Sequence, residues 1–370
     1  MQINLTREDL LKPLSYVAGV VERRQTLPVL SFVLLKLQDG ELTLTGTDLE
    51  IEVVARIKGL KGNNASAEIA LPARKLFDIC RALPADAEIT IKREKEGEKA
   101  TIKSGKSRFA LATVPVADFP NIQSQQWEQA LTISQASLKN LFEQTHFCIA
   151  QQDVRYYLNG LLLEFVDKKL RAVATDGHRM AISEIPLEKS NKSEKQAIVP
   201  RKGIQEMMRL LDDPDGMVEI QVSTNHFRAQ TSGFVFTSKL IDGRYPDYTK
   251  VIPHSQSKLL KLPREATRET LGRVAILSSE KYRGVRFSLS NKSLQITAHN
   301  PEQEEAQEEV SVDYSGEAME IGFNVNYMIE AISSLCSEYV VFGLNDPNSS
   351  CTLASPEARY PQYVIMPMRL

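Results

Sequence analysis

The chain has 370 residues, with 45 Lys and Arg against 47 Asp and Glu, and 42% of its residues are apolar. A net charge of -2 with 25% charged residues excludes a disordered or low-complexity chain and a strongly basic nucleic-acid arm. On charge alone, DNA is not the first partner to expect.

The four cysteines, Cys80, Cys148, Cys336 and Cys351, show no C-x-x-C spacing. This argues against a structural zinc site or a disulfide framework and fits a reducing compartment. The segment MQINLTRED is charged and strand-like, unlike a signal peptide. No apolar run approaches the ~18–20 residues of a membrane span. The expectation is a cytoplasmic protein without membrane partners.

Along the chain, residues 7–21 carry apolar positions at helical spacing. Alternating runs flank Asp39-Gly40 as a hairpin, and 42–57 reads as a strand broken by an Asp48 corner. Pro72 opens an amphipathic helix over 71–84, and DFPN follows at 118–121. After the polar stretch 122–130 the order recurs: a helix at 134–150, a hairpin at Asp167, a corner at Asp176, a helix opened by Pro200, and RYPDY at 244–248. Beyond 253–258 it recurs again: a helix at 264–279, a corner at Asn300, a helix opened by Asn324, and RYPQY at 359–363. The corners and the helix openings are both 128 and then 124 residues apart. A fixed offset repeated through several landmarks is the signature of an internal repeat. The expected fold is α+β, three similar domains (1–125, 129–253 and 256–370), each with two helices packed on antiparallel sheet.

Catalytic signatures are missing. GKS at 105–107 lacks the earlier glycine of a phosphate-binding loop and runs into a strand, not a helix. Asp176 and His178 stand two apart on a tight turn, with no nucleophile candidate nearby. The acidic run 302–309 reads as a solvated or partner-facing segment. No catalytic residue, metal or cofactor is expected. An enzyme of three similar domains with a dispersed carboxylate site, and a scaffold with protein partners only, are the competing classes.

The strings TLPVL (26–30), LTGTDLE (44–50), DVRYYLNG (153–160), ATDGHR (174–179), VPRKG (199–203), DGRYPDY (242–248), NPEQEEA (300–306), EIGFNVNY (320–327) and MPMRL (366–370) span all three repeats. Together they resemble the bacterial DNA polymerase III β sliding clamp family. The resemblance implies a ring of two chains, helices inside, that encircles duplex DNA without reading its sequence and has no chemistry of its own. It implies contacts with the replicative polymerase catalytic subunit, the clamp loader, and other polymerases and repair proteins that carry clamp-binding peptides. It places DNA contacts at Arg24, Gln152, Tyr156 and Tyr157. It places a hydrophobic peptide groove at Leu158, Thr175, Gly177, His178, Arg179, Pro246, Val251, Val364, Met366, Pro367, Met368, Arg369 and Leu370. Met180 stands where the family usually has Leu, and Lys250 where it has Arg. The first change conserves volume, whereas the second loses a planar guanidinium.

The residues add three expectations. Six helices about 10 Å across enclose a hole of roughly 9 Å, too narrow for duplex DNA, whereas twelve leave about 28 Å. Encirclement therefore needs at least a dimer. Residues 1–127 hold 18 basic and 16 acidic side chains, and 258–370 hold 11 and 15. The first domain should therefore meet the partner's third, through Lys103, Lys106, Arg108, Phe109 and Leu111 on one side. Ile276, Leu277, Glu302, Glu304 and Glu305 would form the other. Finally, Arg74, Lys75, Arg201 and Lys202 make the second helices locally basic, suited to phosphate contacts that carry no sequence information.

Overall fold

The computed structural model describes residues 2–21, 27–60, 66–93, 99–120, 126–188 and 194–369. The first repeat runs β1 (Gln2–Thr6), α1 (Arg7–Val20), β2 (Phe32–Gln38), β3 (Glu41–Thr47), β4 (Ile51–Ile57), β5 (Ala67–Pro72), α2 (Ala73–Ala82), β6 (Glu88–Arg93), β7 (Lys99–Ser104) and β8 (Ser107–Ala112). The second runs β9 (Gln129–Ser134), α3 (Gln135–Glu143), β10 (Gly160–Val166), β11 (Lys169–Thr175), β12 (Arg179–Pro186), β13 (Lys195–Pro200), α4 (Arg201–Leu210), β14 (Met217–Val222), β15 (His226–Gln230) and β16 (Phe234–Lys239). The third runs β17 (Lys258–Pro263), α5 (Arg264–Ala275), β18 (Gly284–Ser290), β19 (Ser293–His299), β20 (Glu305–Ser311), β21 (Met319–Asn324), α6 (Val325–Ser333), β22 (Tyr339–Leu344), β23 (Cys351–Ala354) and β24 (Gln362–Ile365). Among the described residues each repeat thus supplies eight strands and two helices in one order.

Local chemistry sets these boundaries. The Thr6 hydroxyl accepts the Asp9 N–H at 3.1 Å and caps α1, and Asn324 accepts the N–H groups of Asn326 and Tyr327 to cap α6. Helix α1 lies on β3 and β4 and buries Leu10, Leu14 and Val17 against Leu42, Leu44 and Val53, all solvent-free. Each such side chain contributes about 1.5–3 kcal/mol.

The corners of the first two repeats are one device used twice. Asp48 Oδ1 accepts the N–H groups of Glu50 (2.9 Å) and Ile51 (2.7 Å). Asp176 Oδ1 accepts those of His178 (2.9 Å) and Arg179 (3.0 Å). Thr47 and Thr175 each add the same hydroxyl bridge. The third corner is one residue longer, with Asn300 Oδ1 taking the Glu304 N–H at 2.9 Å.

All described strand pairs are antiparallel, and the sheets run across the repeats. One eight-stranded sheet joins β5-β2-β3-β4 to β16-β15-β14-β9, through β4 against β16. Another joins β13-β10-β11-β12 to β24-β23-β22-β17, through β12 against β24. Two four-stranded sheets, β1-β6-β7-β8 and β20-β19-β18-β21, complete the set. The chain accordingly forms two compact units, 1–136 with 205–240 and 137–204 with 241–370. The closing motifs are not equivalent throughout: DFPN and RYPDY follow β8 and β16, but RYPQY runs into β24.

Candidate functional site

The second unit holds an apolar cluster of Leu158, Leu162, Val173, Met180, Ile182, Tyr245, Tyr248 and Val364. Its strands come from two repeats, since Met180 pairs with Val364 across the β12–β24 seam. Above it the chain end is held as a strap: the Met366 N–H donates to the His178 carbonyl at 2.9 Å, and the Met368 N–H to that of Gly322 at 2.8 Å. Val251 and Met366 are exposed. A buried apolar floor with apolar side chains standing at its rim suits a short hydrophobic peptide. Of the expected groove residues, Leu158, Met180 and Val364 belong to this cluster, Thr175, Gly177 and Pro367 are half-buried, and His178, Pro246, Lys250 and Arg369 are exposed. Leu370 lies outside the described residues.

Arg179 departs from the expected role. Its side chain is only 11% exposed. Nε donates to Asp176 Oδ2 at 3.1 Å, Nη2 to the Phe147 carbonyl at 2.7 Å, and Nη1 to Glu330. The guanidinium lies 4.2 Å from the Tyr327 ring centroid and 5.4 Å from that of Phe147. With its donors committed, the head is a strut rather than an open charge. Asp176, meanwhile, caps backbone N–H groups, which uses it structurally.

A second polar set backs the groove wall. Glu164, Arg171 and Glu184 face one another across β10, β11 and β12. Arg171 bonds Glu184 at 3.0 Å and the Tyr248 hydroxyl at 3.1 Å, and the Tyr248 hydroxyl donates to buried Glu164. Burial first, and then the Glu164 carboxylate, push the Tyr248 phenol up to about 12. Tyr248 opens the turn Tyr248–Val251, so the network fixes Lys250 and Val251. Lys250 itself is exposed and pairs with Asp247 at 3.3 Å.

The loop before β10 carries the expected DNA residues. Gln152 is exposed with φ 55°. Tyr156 is 57% exposed, whereas Tyr157 packs on the apolar cluster, so only one of the pair is open for stacking. The loop is rigid. The Asn159 side-chain amide accepts the Asp153 N–H and donates to the Asp153 carbonyl, both at 2.9 Å, and the Asp153 carboxylate accepts from Arg155 Nε and Nη2. Hydrogen bonds from Arg155 depress the Asp153 carboxyl to about 2. Arg155 also reaches the Asp176 carbonyl at 3.3 Å over Gly177. At Gly177 (φ +87°) a Cβ would stand 2.8 Å from Arg155 Nη2.

On the helices, Arg74 and Lys75 are exposed. Arg74 touches the Val21 carbonyl at 3.3 Å. Arg201 is committed to the Ile149 carbonyl at 2.7 Å, and Lys202 is half-buried. Arg24 lies outside the described residues. Lys103, Lys106 and Arg108 are exposed around the β7–β8 hairpin, with Phe109 half-buried. Leu111, on the edge strand β8, is 8% exposed within this chain. Ile276 is 75% exposed, Leu277 is half-buried, and Glu302, Glu304 and Glu305 are exposed beside β20.

Residues 1–123, 132–247 and 249–369 match, in order, the N-terminal, central and C-terminal domain families of the DNA polymerase III beta subunit. The chain belongs to the DNA polymerase III beta subunit family. It is 51% identical over 370 residues to the beta sliding clamp of Pseudomonas putida and 48% to that of Escherichia coli K12, with both chains covered completely. It superposes on the Pseudomonas aeruginosa sliding clamp bound to griselimycin with a TM-score of 0.96, 50% identity and full coverage of both chains. Members of this family are processivity factors of the polymerase and not enzymes, and this sliding clamp is one of them.

In this clamp, sequence reasoning missed Tyr327 and Glu330. Both sit on α6 and meet Arg179 from another repeat. Their nearest sequence signal was NVNY at 324–327, which was read only as a helix start.

Proposed function

We propose that this clamp closes into a head-to-tail ring of two copies around duplex DNA, and that it tethers partners through the groove over Leu158, Met180 and Val364. The carrying observation is an unfilled seam. In the first two repeats the strand after the corner pairs with the last strand of the next repeat, as β4 with β16 and β12 with β24. The corresponding strand of the third repeat, β20, is a sheet edge, and so is β8, the last strand of the first. A second copy whose β8 meets β20 repeats the same joint, and twofold symmetry then closes both. Lys103, Lys106 and Arg108 would face Glu302, Glu304 and Glu305, with Phe109, Ile276 and Leu277 supplying apolar contact.

In this reading, domains 1–125, 129–253 and 256–370 line the hole with α1 to α6. Arg24, Arg74, Lys75, Gln152, Tyr156 and Lys202 contact phosphate or bases, while Arg201 braces its helix and Tyr157, packed on the apolar cluster, backs the Tyr156 ring. The groove serves the replicative polymerase catalytic subunit, the clamp loader, and other polymerases and repair proteins. The proposed setting is the cytoplasm, at the nucleoid. Among the described residues no helix is long and apolar enough to cross a membrane.

The test is topological. Clamp placed on nicked circular plasmid by a loader should co-elute with the DNA and leave it after linearisation. Equal retention on both forms would refute encirclement. Sedimentation should show a dimer at micromolar concentration that weakens as salt rises, and an obligate monomer would refute the ring.

A further inference from the structure

The guanidinium of Arg179 is held by carboxylates from two different repeats, Asp176 and Glu330. Two of its anchors, Asp176 and the Phe147 carbonyl, belong to its own repeat. The third, Glu330, reaches over from α6 and is the exposed member of the set, at 47% against 11% for Arg179. Arg179 begins β12, directly after His178, whose carbonyl takes the Met366 N–H. Arg179 is therefore adjacent in sequence to the residue that anchors the strap.

We propose that Glu330 is a specificity-determining residue of the groove: it neutralises Arg179 and so keeps acidic peptides from gaining affinity there. The proposal rests on the peptide-groove reading above. Three acids and three arginines balance locally: Asp153, Asp176 and Glu330 against Arg155, Arg179 and Arg201. Asp153 pairs with Arg155, and Asp176 with Arg179. Arg201 feels the charges of both Arg179 and Glu330. While Asp176 still pairs with Arg179, removing the Glu330 charge leaves the cluster with one guanidinium in excess of its carboxylates. It stays charged at every working pH and has the planar fork that carboxylates fit. The Glu330→Gln change keeps shape and a hydrogen-bond acceptor while deleting the charge, so the apolar floor, which lies under β12 and β24, is left in place.

The experiment selects a phage-displayed heptapeptide library separately on intact wild-type, Glu330→Gln and Glu330→Asp clamps. Bound phage are eluted with griselimycin, the compound seen on the Pseudomonas aeruginosa relative. Asp and Glu should be about two- to fivefold more frequent among peptides eluted from Glu330→Gln than from wild type, as expected for a partly exposed ion pair. The enrichment should vanish near 1 M NaCl, where the Debye length is about 3 Å. Glu330→Asp, which restores the charge, should return the wild-type frequency. A general loosening of the fold would lower recovery without changing composition. Equal acidic frequency on wild type and Glu330→Gln overturns the inference while the eluted peptides still support the groove. Recovery of no griselimycin-eluted peptides from wild type overturns both.

Discussion

Replacing Arg171 with Met removes the cation that holds three strands and the groove wall together. Arg171 Nη1 lies 3.6 Å from Glu164, whose side chain is 9% exposed, and Nη2 lies 3.0 Å from Glu184. At an effective dielectric near 20 a unit pair at that separation is worth about 4–5 kcal/mol before desolvation. Breaking a buried pair from one side costs about 3–5 kcal/mol. Two features keep the cost at the low end, about 3 kcal/mol. Lys169 still neutralises Glu184 at 2.6 Å, and Gln196 and Tyr248 still donate to Glu164. For a unit of this size, about 2–4 °C per kcal/mol gives a fall of roughly 6–12 °C in Tm. Differential scanning calorimetry of the full chain reads it directly. The double variant Arg171→Met with Glu164→Gln should recover at least about 1 kcal/mol, because the stranded charge is gone. A single-variant Tm within about 1 °C of wild type, or strictly additive effects, would refute the reasoning that Glu164 depends on this arginine.

Three other perturbations read other parts of the molecule. Asp153 should titrate near pH 2 by carboxyl NMR and return to its ordinary range, about 4, in Arg155→Gln. Because its folded value is depressed, whatever it contributes to the loop is present above about pH 4 and lost as the pH falls through about 2. The Gly177→Ala variant should lose about 1–2 kcal/mol in urea unfolding, through the left-handed backbone and the Arg155 contact. Its counterpart Leu49→Gly, at φ 78° in the first corner, should lose nothing or gain slightly, and equal losses would contradict the shared corner. Deleting Met366–Leu370 should abolish binding of a labelled hydrophobic clamp-binding peptide in fluorescence polarisation yet leave the proposed dimer intact by sedimentation, since β8 and β20 are untouched.

The repeat was readable because its landmarks are local. An Asx corner and a proline- or asparagine-opened helix need only a few neighbouring residues, so Asp48, Asp176 and Asn324 announce themselves. The seams were not readable. Pairing of β4 with β16 or β12 with β24 joins residues roughly 180 apart, and nothing in either strand's alternation names its partner. For the same reason RYPQY looked like RYPDY, although one leads into a seam strand, β24, and the other follows one, β16. The expected groove residues came from family likeness alone, and the inward turn of Arg179 depends on Tyr327 and Glu330, which a different repeat supplies.

The two eight-stranded sheets make the unit of repetition different from the unit of folding. The middle repeat contributes β9, β14, β15 and β16 to one sheet and β10 to β13 to the other. Excised at its linkers, it would present two raw edges, β16 and β12, each stripped of the strand that covers it. Exposed edges of that kind recruit other chains. A gene fragment encoding the central third is therefore expected to aggregate rather than fold. Shuffling thirds between relatives should succeed only when β4 travels with β16 and β12 with β24. Evolution of such a chain is then constrained in pairs of strands more than in whole repeats, and neighbouring repeats are obliged to change together.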